Sequence, residues 1–192
     1  MKTVVLAGIL LASCASAPYE CKLPLNVPAA VTIYANRFAE TVERHSAYDV
    51  GGYRPPPYDS ARHAALLARL EGIAQAKDIE LVPLDPLGQT WGISVSNGQA
   101  IVRIGLRSDL GVDGRAEVLA HEMVHAVGPG AVAGTEVGEV LADVAAYILV
   151  AVDGSPEAVE RFAPYLVGRK HLIRLIVNRY HAELVQIVTA LQ

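Results

Sequence analysis

Hydrophobic positions in this chain recur at helical spacing over most of its length and alternate in one short central stretch. The segment from Pro28 to about His45 is a candidate first helix. Ser60 opens a second helix to about Lys77, with Leu66, Leu67, Leu70 and Ile73 as its core face. Between the two, Gly51-Gly52-Tyr53-Arg54-Pro55-Pro56-Pro57-Tyr58 reads as an irregular, partly polyproline connector. The clearest strand signal is a hairpin, Trp91 to Val95 and Ala100 to Leu106 around the turn residues Asn97-Gly98. Helical patterning then resumes with Val118, Leu119, Met123, Val124 and Val127, started by a cap at Asp113 or Gly114 and ended by Gly128-Pro129-Gly130. Glu136 to Leu149 is a strongly apolar helix. After Pro156, Glu157 to Val167 and Lys170 to Leu191 are amphipathic, the last with a core face of Leu172, Leu175, Ile176, Leu184, Ile187, Val188 and Leu191.

The helix after the hairpin carries the chemistry. In His121-Glu122-Met123-Val124-His125 the two histidines stand four apart, so on a helix they point the same way and can grip one ion. Glu122 lies about 100° round the axis from His121, beside such an ion and placed to carry a proton. The following helix holds two acids, Glu139 and Asp143, on one side of an otherwise Val/Leu/Ala sequence. A carboxylate there costs several kcal/mol unless paired or bound to metal. Coordination by Glu139, with Asp143 holding the far ring nitrogen of a metal-bound histidine, accounts for both acids.

His-Glu-x-x-His followed by Glu139-Val140-Leu141-Ala142-Asp143 resembles the gluzincin branch of the zincin metallopeptidases. Thermolysin-like enzymes carry E-x-x-S-D at this place and the CAAX-processing peptidases carry E-x-x-A-D. The resemblance implies Zn2+ held by His121, His125 and Glu139, with Glu122 as general base and Asp143 behind His121. Glu139 follows His125 by only 14 positions, shorter than in thermolysin-like enzymes, so the form implied is compact, with Glu136 as the rival ligand. A metzincin would need histidine where the chain has Ala131. An aspartate-ligated zincin would need G-T-x-x-D, but Gly134-Thr135 leads into Glu136, Val137 and Gly138. The strand Ala100 to Leu106, just ahead of the motif helix, resembles the zincin strand that edges the cleft and pairs with an extended substrate.

At the amino terminus, Lys2, the short apolar run Val4 to Ala12 and Leu11-Ala12-Ser13-Cys14 resemble a bacterial lipoprotein signal peptide. Residues 1–13 would be removed, lipidated Cys14 would begin the mature chain, and residues 14–27 would tether it. Ala15 after the cysteine is compatible with an outer-membrane destination facing the periplasm. The alternative is a plain cut after Ala15-Ser16-Ala17, which would put Pro18 next to the scissile bond and leave a Cys14–Cys21 disulfide open.

Residues 28–192 suffice for a single domain with a real core. The expected class is α+β and zincin-like, mostly helical, with a small antiparallel sheet before the metal-binding helix. The net charge of −4, without a basic stripe, gives a nucleic-acid partner no support. Hydrophobic residues make up 52% of the chain, yet no uninterrupted run reaches membrane-spanning length.

The expected function is zinc-dependent endopeptidase activity on peptide or protein substrates in the cell envelope. Two alternatives stand beside it: a catalytically silent zincin-like lipoprotein used for binding or assembly, and a metal-free structural lipoprotein. Peptide hydrolysis also calls for a donor to the developing oxyanion. Tyr180 and His181 are the preferred candidates, with His171, Tyr165 and Tyr147 behind them, while His45 and His63 are expected to face solvent.

Overall fold

The computed structural model describes residues 26–45, 54–56, 59–130 and 134–192, the Tyr165 side chain excepted. The expected signal peptide, most of the expected tether, Cys14, Cys21, Ala131 and most of the Gly51–Tyr58 connector lie outside the described residues.

In chain order the elements are α1 (Val27–Arg44), α2 (Ala64–Ala76), β1 (Glu80–Leu84), β2 (Gly92–Ser96), β3 (Ile101–Arg107), α3 (Val112–Val127), α4 (Glu136–Val152), α5 (Val159–Phe162), α6 (Lys170–Arg179) and α7 (His181–Ala190). Short 3-10 turns flank α5 on both sides. The α+β class holds, with helices predominating. No described helix is long and apolar enough to cross a membrane.

The centre of the molecule is α4, every residue of which from Val140 to Ala151 is buried. Its partners are α1, α3, α5, α6 and α7, which explains why its sequence is apolar on all faces rather than on one stripe. Ala142, Ala145 and Ala146 keep the helix slim enough for close neighbours. Tyr147 occupies the middle of the core, with its ring centroid 5.3 Å from that of Phe38 and 6.2 Å from that of Tyr34. Its hydroxyl donates to the Pro156 carbonyl at 3.1 Å, and burial pushes its pKa up to about 12. Tyr147 is thus a packing residue and not a donor to substrate.

The sheet has the order β1-β3-β2. The hairpin of β2 and β3 is antiparallel as expected, with Gly98 at φ +92° supplying the left-handed turn residue. β1, however, pairs with β3 in parallel, so the sheet is mixed rather than antiparallel. The same order corrects the reading of Ala100 to Leu106 as a cleft edge, because β3 is central and hydrogen-bonded on both sides. The strand with an outer edge beside α3 is β2. Pro83 is tolerated in β1 because that strand lies at the opposite edge.

Two helix starts differ from expectation for one reason. α3 begins after Gly111, with neither Asp113 nor Gly114 as its cap; its first amides are taken by Asp59, which accepts from Val112 N–H at 2.8 Å and Asp113 N–H at 3.3 Å. Asp113 in turn accepts from Ser60 N–H at 2.9 Å, from the Ser60 hydroxyl at 2.5 Å and from His63 N–H at 2.9 Å. Ser60 is therefore bound to the start of α3 instead of capping α2, which begins at Ala64. This reciprocal pair of aspartates fastens the segment before α2 to the start of the motif helix. Near them His63 is 2% exposed, its Nδ1 2.8 Å from Asp153 Oδ2, and so does not face solvent. His45 is half-buried and meets Glu160 at 3.0 Å. The expected last helix is broken into α6 and α7 at Tyr180.

Candidate metal centre

α3 and α4 lie side by side and bring three ligand-type side chains to one point. His121 and His125, one turn apart on α3, have their Nε2 atoms 3.3 Å apart. Glu139, in the first turn of α4, places one oxygen 3.5 Å from His121 Nε2 and the other 3.5 Å from His125 Nε2. Thr135 caps α4 by accepting from Gly138 N–H at 3.1 Å, and the positive end of the helix favours an ionised Glu139. These three side chains can hold a metal ion. Glu136 points elsewhere, exposed and paired with Arg169 at 3.0 Å.

Asp143 sits one turn further along α4, buried, with Oδ1 2.9 Å from His121 Nδ1. That bond holds a ring proton on Nδ1 and turns Nε2 toward His125 and Glu139; in the neutral ring, the form that binds a metal, Nε2 carries the lone pair. The electrostatics follow from the crowding of acids and imidazoles. Burial alone would lower the pKa of His121, but Asp143 and Glu139 outweigh it and hold it well above the usual histidine range. His125 is pushed down by burial and by His121. Glu139 is held below the usual carboxylate range by its hydrogen bond to His121, against the effect of burial.

Glu122 is buried beside the triad, its carboxyl raised by desolvation and partly restrained by His121 and by a hydrogen bond from Ser94. It lies against β2 so closely that a Cβ on Gly92 would be 2.7 Å from its Oε1. The motif therefore assembles as the sequence spacing implies: one carboxylate shares the triangle, one stands behind it and one stands beside it.

A cavity of about 390 Å³ opens over this group, lined by His121, Glu122, Glu139 and Asp143 together with Gln89, Thr90, Trp91, Gly92, Glu117, Val118 and Phe162. Trp91 is steadied by Arg107, whose guanidinium carbon stands 3.7 Å from the ring centroid and is itself gripped by Asp109. Tyr180 and His181 are not among the lining residues. Tyr180 packs on the core where α6 meets α7, and His181 Nε2 is 2.9 Å from the Thr32 hydroxyl on α1. Sequence reasoning does not bring out Glu117, a fully buried carboxylate paired with Arg161. A signal exists, since Glu117, His121 and His125 fall on one helical stripe at intervals of four. Gly92 and Ser94 are likewise visible only once the inward face of β2 is known.

Comparisons of the chain with protein-family models, with curated proteins and with solved structures find no match. Its chemistry is accordingly read from its own side chains.

Proposed function

We propose that this chain is a zinc-dependent, gluzincin-like endopeptidase, tethered to the bacterial cell envelope by lipid on Cys14. The observation that carries the reading is the triangle of donor atoms. An ion with tetrahedral bonds of about 2.0–2.1 Å spaces its donors roughly 3.3–3.4 Å apart. The Nε2 atoms of His121 and His125 are 3.3 Å apart, and Glu139 turns one carboxylate oxygen to each of them at 3.5 Å, so one donor atom from each side chain lies within 4.8 Å of the others. Two imidazoles and one carboxylate, open on the cavity side, form a donor set suited to catalytic zinc. When bound, zinc would polarise a peptide carbonyl and make water a stronger nucleophile.

The remaining work falls to the chain's own residues. Glu122 accepts the proton released as water attacks and passes it to the departing amine. Asp143 keeps the proton of His121 on Nδ1 and the ring turned toward the triangle. The edge of β2, beginning at Gly92 on the cavity rim, offers backbone groups with which an extended peptide can pair. That strand takes the substrate-edge role first expected of β3.

A second reading, the catalytically silent binding or assembly lipoprotein, is favoured by one specific observation. Among the described residues lining the cavity there is no tyrosine, and no histidine other than the ligand His121, to serve the oxyanion. Elemental analysis of the purified mature protein, followed by cleavage of a denatured protein with and without chelator, separates the readings. One zinc per chain with chelator-sensitive cleavage is expected. Bound zinc without cleavage favours the silent module, and no zinc overturns the metal reading. Mass spectrometry of the mature amino terminus tests the tether, for which a lipidated Cys14 is expected and an unmodified chain starting at Pro18 is the contrary result.

A further inference from the structure

We infer that Ile93 and Val95 select the substrate of this site: the exposed outer face of β2 favours an extended polypeptide with apolar side chains at alternate positions. This selectivity rests on the endopeptidase reading above, which puts the peptide on β2. The two edges of the sheet are built differently. β1 carries Pro83, which has no N–H to offer, and the charged Glu80, paired with Arg103 at 2.6 Å, and both discourage an added strand. β2 reads Gly92-Ile93-Ser94-Val95-Ser96, with neither charge nor proline. Such an edge is open to pairing, and it starts at Gly92, on the rim of the cavity over the metal centre.

Register decides which groups meet the added strand. Trp91 C=O accepts from Arg107 N–H at 2.9 Å, and Gly92 to Val95 stand opposite Leu106 to Arg103 in the antiparallel pair. Hydrogen bonding alternates along such a pair, so Ile93 and Val95 turn their backbone groups to β3 while Gly92 and Ser94 turn theirs to the open edge. Side chains alternate as well. A Cβ at Gly92 would lie 2.5 Å from Val118 Cγ1 on α3, so positions 92 and 94 face α3, whereas Ile93 and Val95 face outward, 47% and 42% exposed. A peptide bonded to the backbone of Gly92 and Ser94 therefore lays every second side chain against Ile93 and Val95 and turns the others toward α3 and the cavity. In an antiparallel pairing the residues opposite Ile93 and Val95 form the non-hydrogen-bonded pairs, where side chains come closest. β-branched and aromatic residues at those places take the exposed apolar surface out of water, which serine, glycine or a charge does not. The favoured substrate is thus an apolar, strand-forming segment of an unfolded protein rather than a polar linker.

The test compares two peptides of equal length around one cleavable centre, the first with valine and isoleucine at alternate flanking positions and the second with serine and glycine there. Zinc-loaded full chain should cleave the first with the higher kcat/KM. In the double variant Ile93→Thr, Val95→Thr, which keeps β-branched residues at home in a strand, that preference should shrink roughly three- to tenfold, as expected from two cross-strand pairs, with zinc content retained. Ile33→Thr, at a site 62% exposed on α1, removes apolar surface elsewhere and should leave the preference intact. Equal cleavage of both peptides by wild type, a preference that survives the double variant, or one lost equally in Ile33→Thr overturns the inference. So does a wild type that sediments as a dimer, with a monomeric double variant and no peptide preference, since the face would then belong to a second copy. If wild type cleaves neither peptide, the endopeptidase reading fails and fluorescence anisotropy of the labelled peptides decides: tighter binding of the apolar peptide, lost in the double variant, upholds the selectivity of β2, and equal binding removes it.

Discussion

His121 Nδ1 stands 2.9 Å from Asp143 Oδ1, so the first histidine of the motif on α3 is held by a buried acid from the middle of α4. The second oxygen of Asp143 is buried with no hydrogen-bond partner among the described residues, so the carboxylate depends on the imidazole, and on any charge the imidazole binds, to offset its burial. Asp143→Asn keeps the size and an acceptor oxygen while removing the charge. Zinc affinity should fall by about 10- to 100-fold with some metal still bound. Competition with a chelator of known affinity measures this, and an unchanged affinity would reduce Asp143 to a packing role.

Glu139 and Glu136 are both in the first turn of α4, yet only Glu139 meets the histidines. Glu139→Ala should strip the zinc, whereas Glu136→Ala removes an exposed ion pair with Arg169, an interaction worth about 0–1 kcal/mol, and should leave metal content as it was. Atomic absorption on the two variants decides. Equal loss in both would reverse the assignment of the ligand.

Much of this centre could be read from spacing because helices convert sequence intervals into directions. His121, His125, Glu139 and Asp143 lie on two helices, and intervals of four fix which side chains turn together. The elements themselves were legible where periodicity was strong, as in α2, the β2–β3 hairpin, α3 and α4. What escaped depends on contacts between residues distant in the chain. The parallel pairing of β1 with β3 leaves no local signature, and it moves the cleft edge from β3 to β2. Asp59 caps a helix 53 positions away, so the local candidates Asp113 and Gly114 looked sufficient. Tyr180 and His181 follow the ligand helix in sequence, but the break between α6 and α7 turns them to the core and to α1.

The Glu117 carboxylate is completely buried one turn before His121, and Arg161 of α5 brings it a guanidinium. Removing one partner of a buried pair costs about 3–5 kcal/mol; Arg161 is partly exposed, which argues for the lower end. Arg161→Leu should therefore lower the unfolding free energy by roughly 3 kcal/mol, as read by urea titration. It should also loosen the wall of the cavity that Glu117 and Phe162 share. A change of a few tenths of a kcal/mol would show that water replaces the guanidinium without strain.

Acid should weaken the joint between α2 and α3. Burial works to raise the pKa of Asp113, but the hydroxyl and amide of Ser60 and the amide of His63 outweigh it and leave it below the usual carboxylate range. A carboxyl whose folded pKa is depressed adds stability that is present above its unfolded value, near about 4, and is lost as pH falls through the folded value. The melting temperature should accordingly drop below about pH 4. Asp113→Asn should lie below wild type near neutrality, and the gap should close on acidification. A gap independent of pH would mean that shape, not charge, is what Asp113 contributes.

Glu122→Gln isolates the chemical step from everything that builds the centre. Glutamine matches glutamate in size and leaves His121, His125 and Glu139 untouched, so fold and zinc content should be retained. Its amide cannot take a proton from water at neutral pH. Turnover on a denatured protein or peptide library should fall by at least about 10²-fold, the lower end of what general acid–base catalysis contributes. Loss of zinc in this variant would make Glu122 a structural member of the centre, at odds with its place beside the triangle rather than in it. Undiminished cleavage would assign the activity to another site. Retained zinc with abolished turnover would leave Glu122 as the proton carrier, because the metal centre would then be intact and only the carboxylate missing.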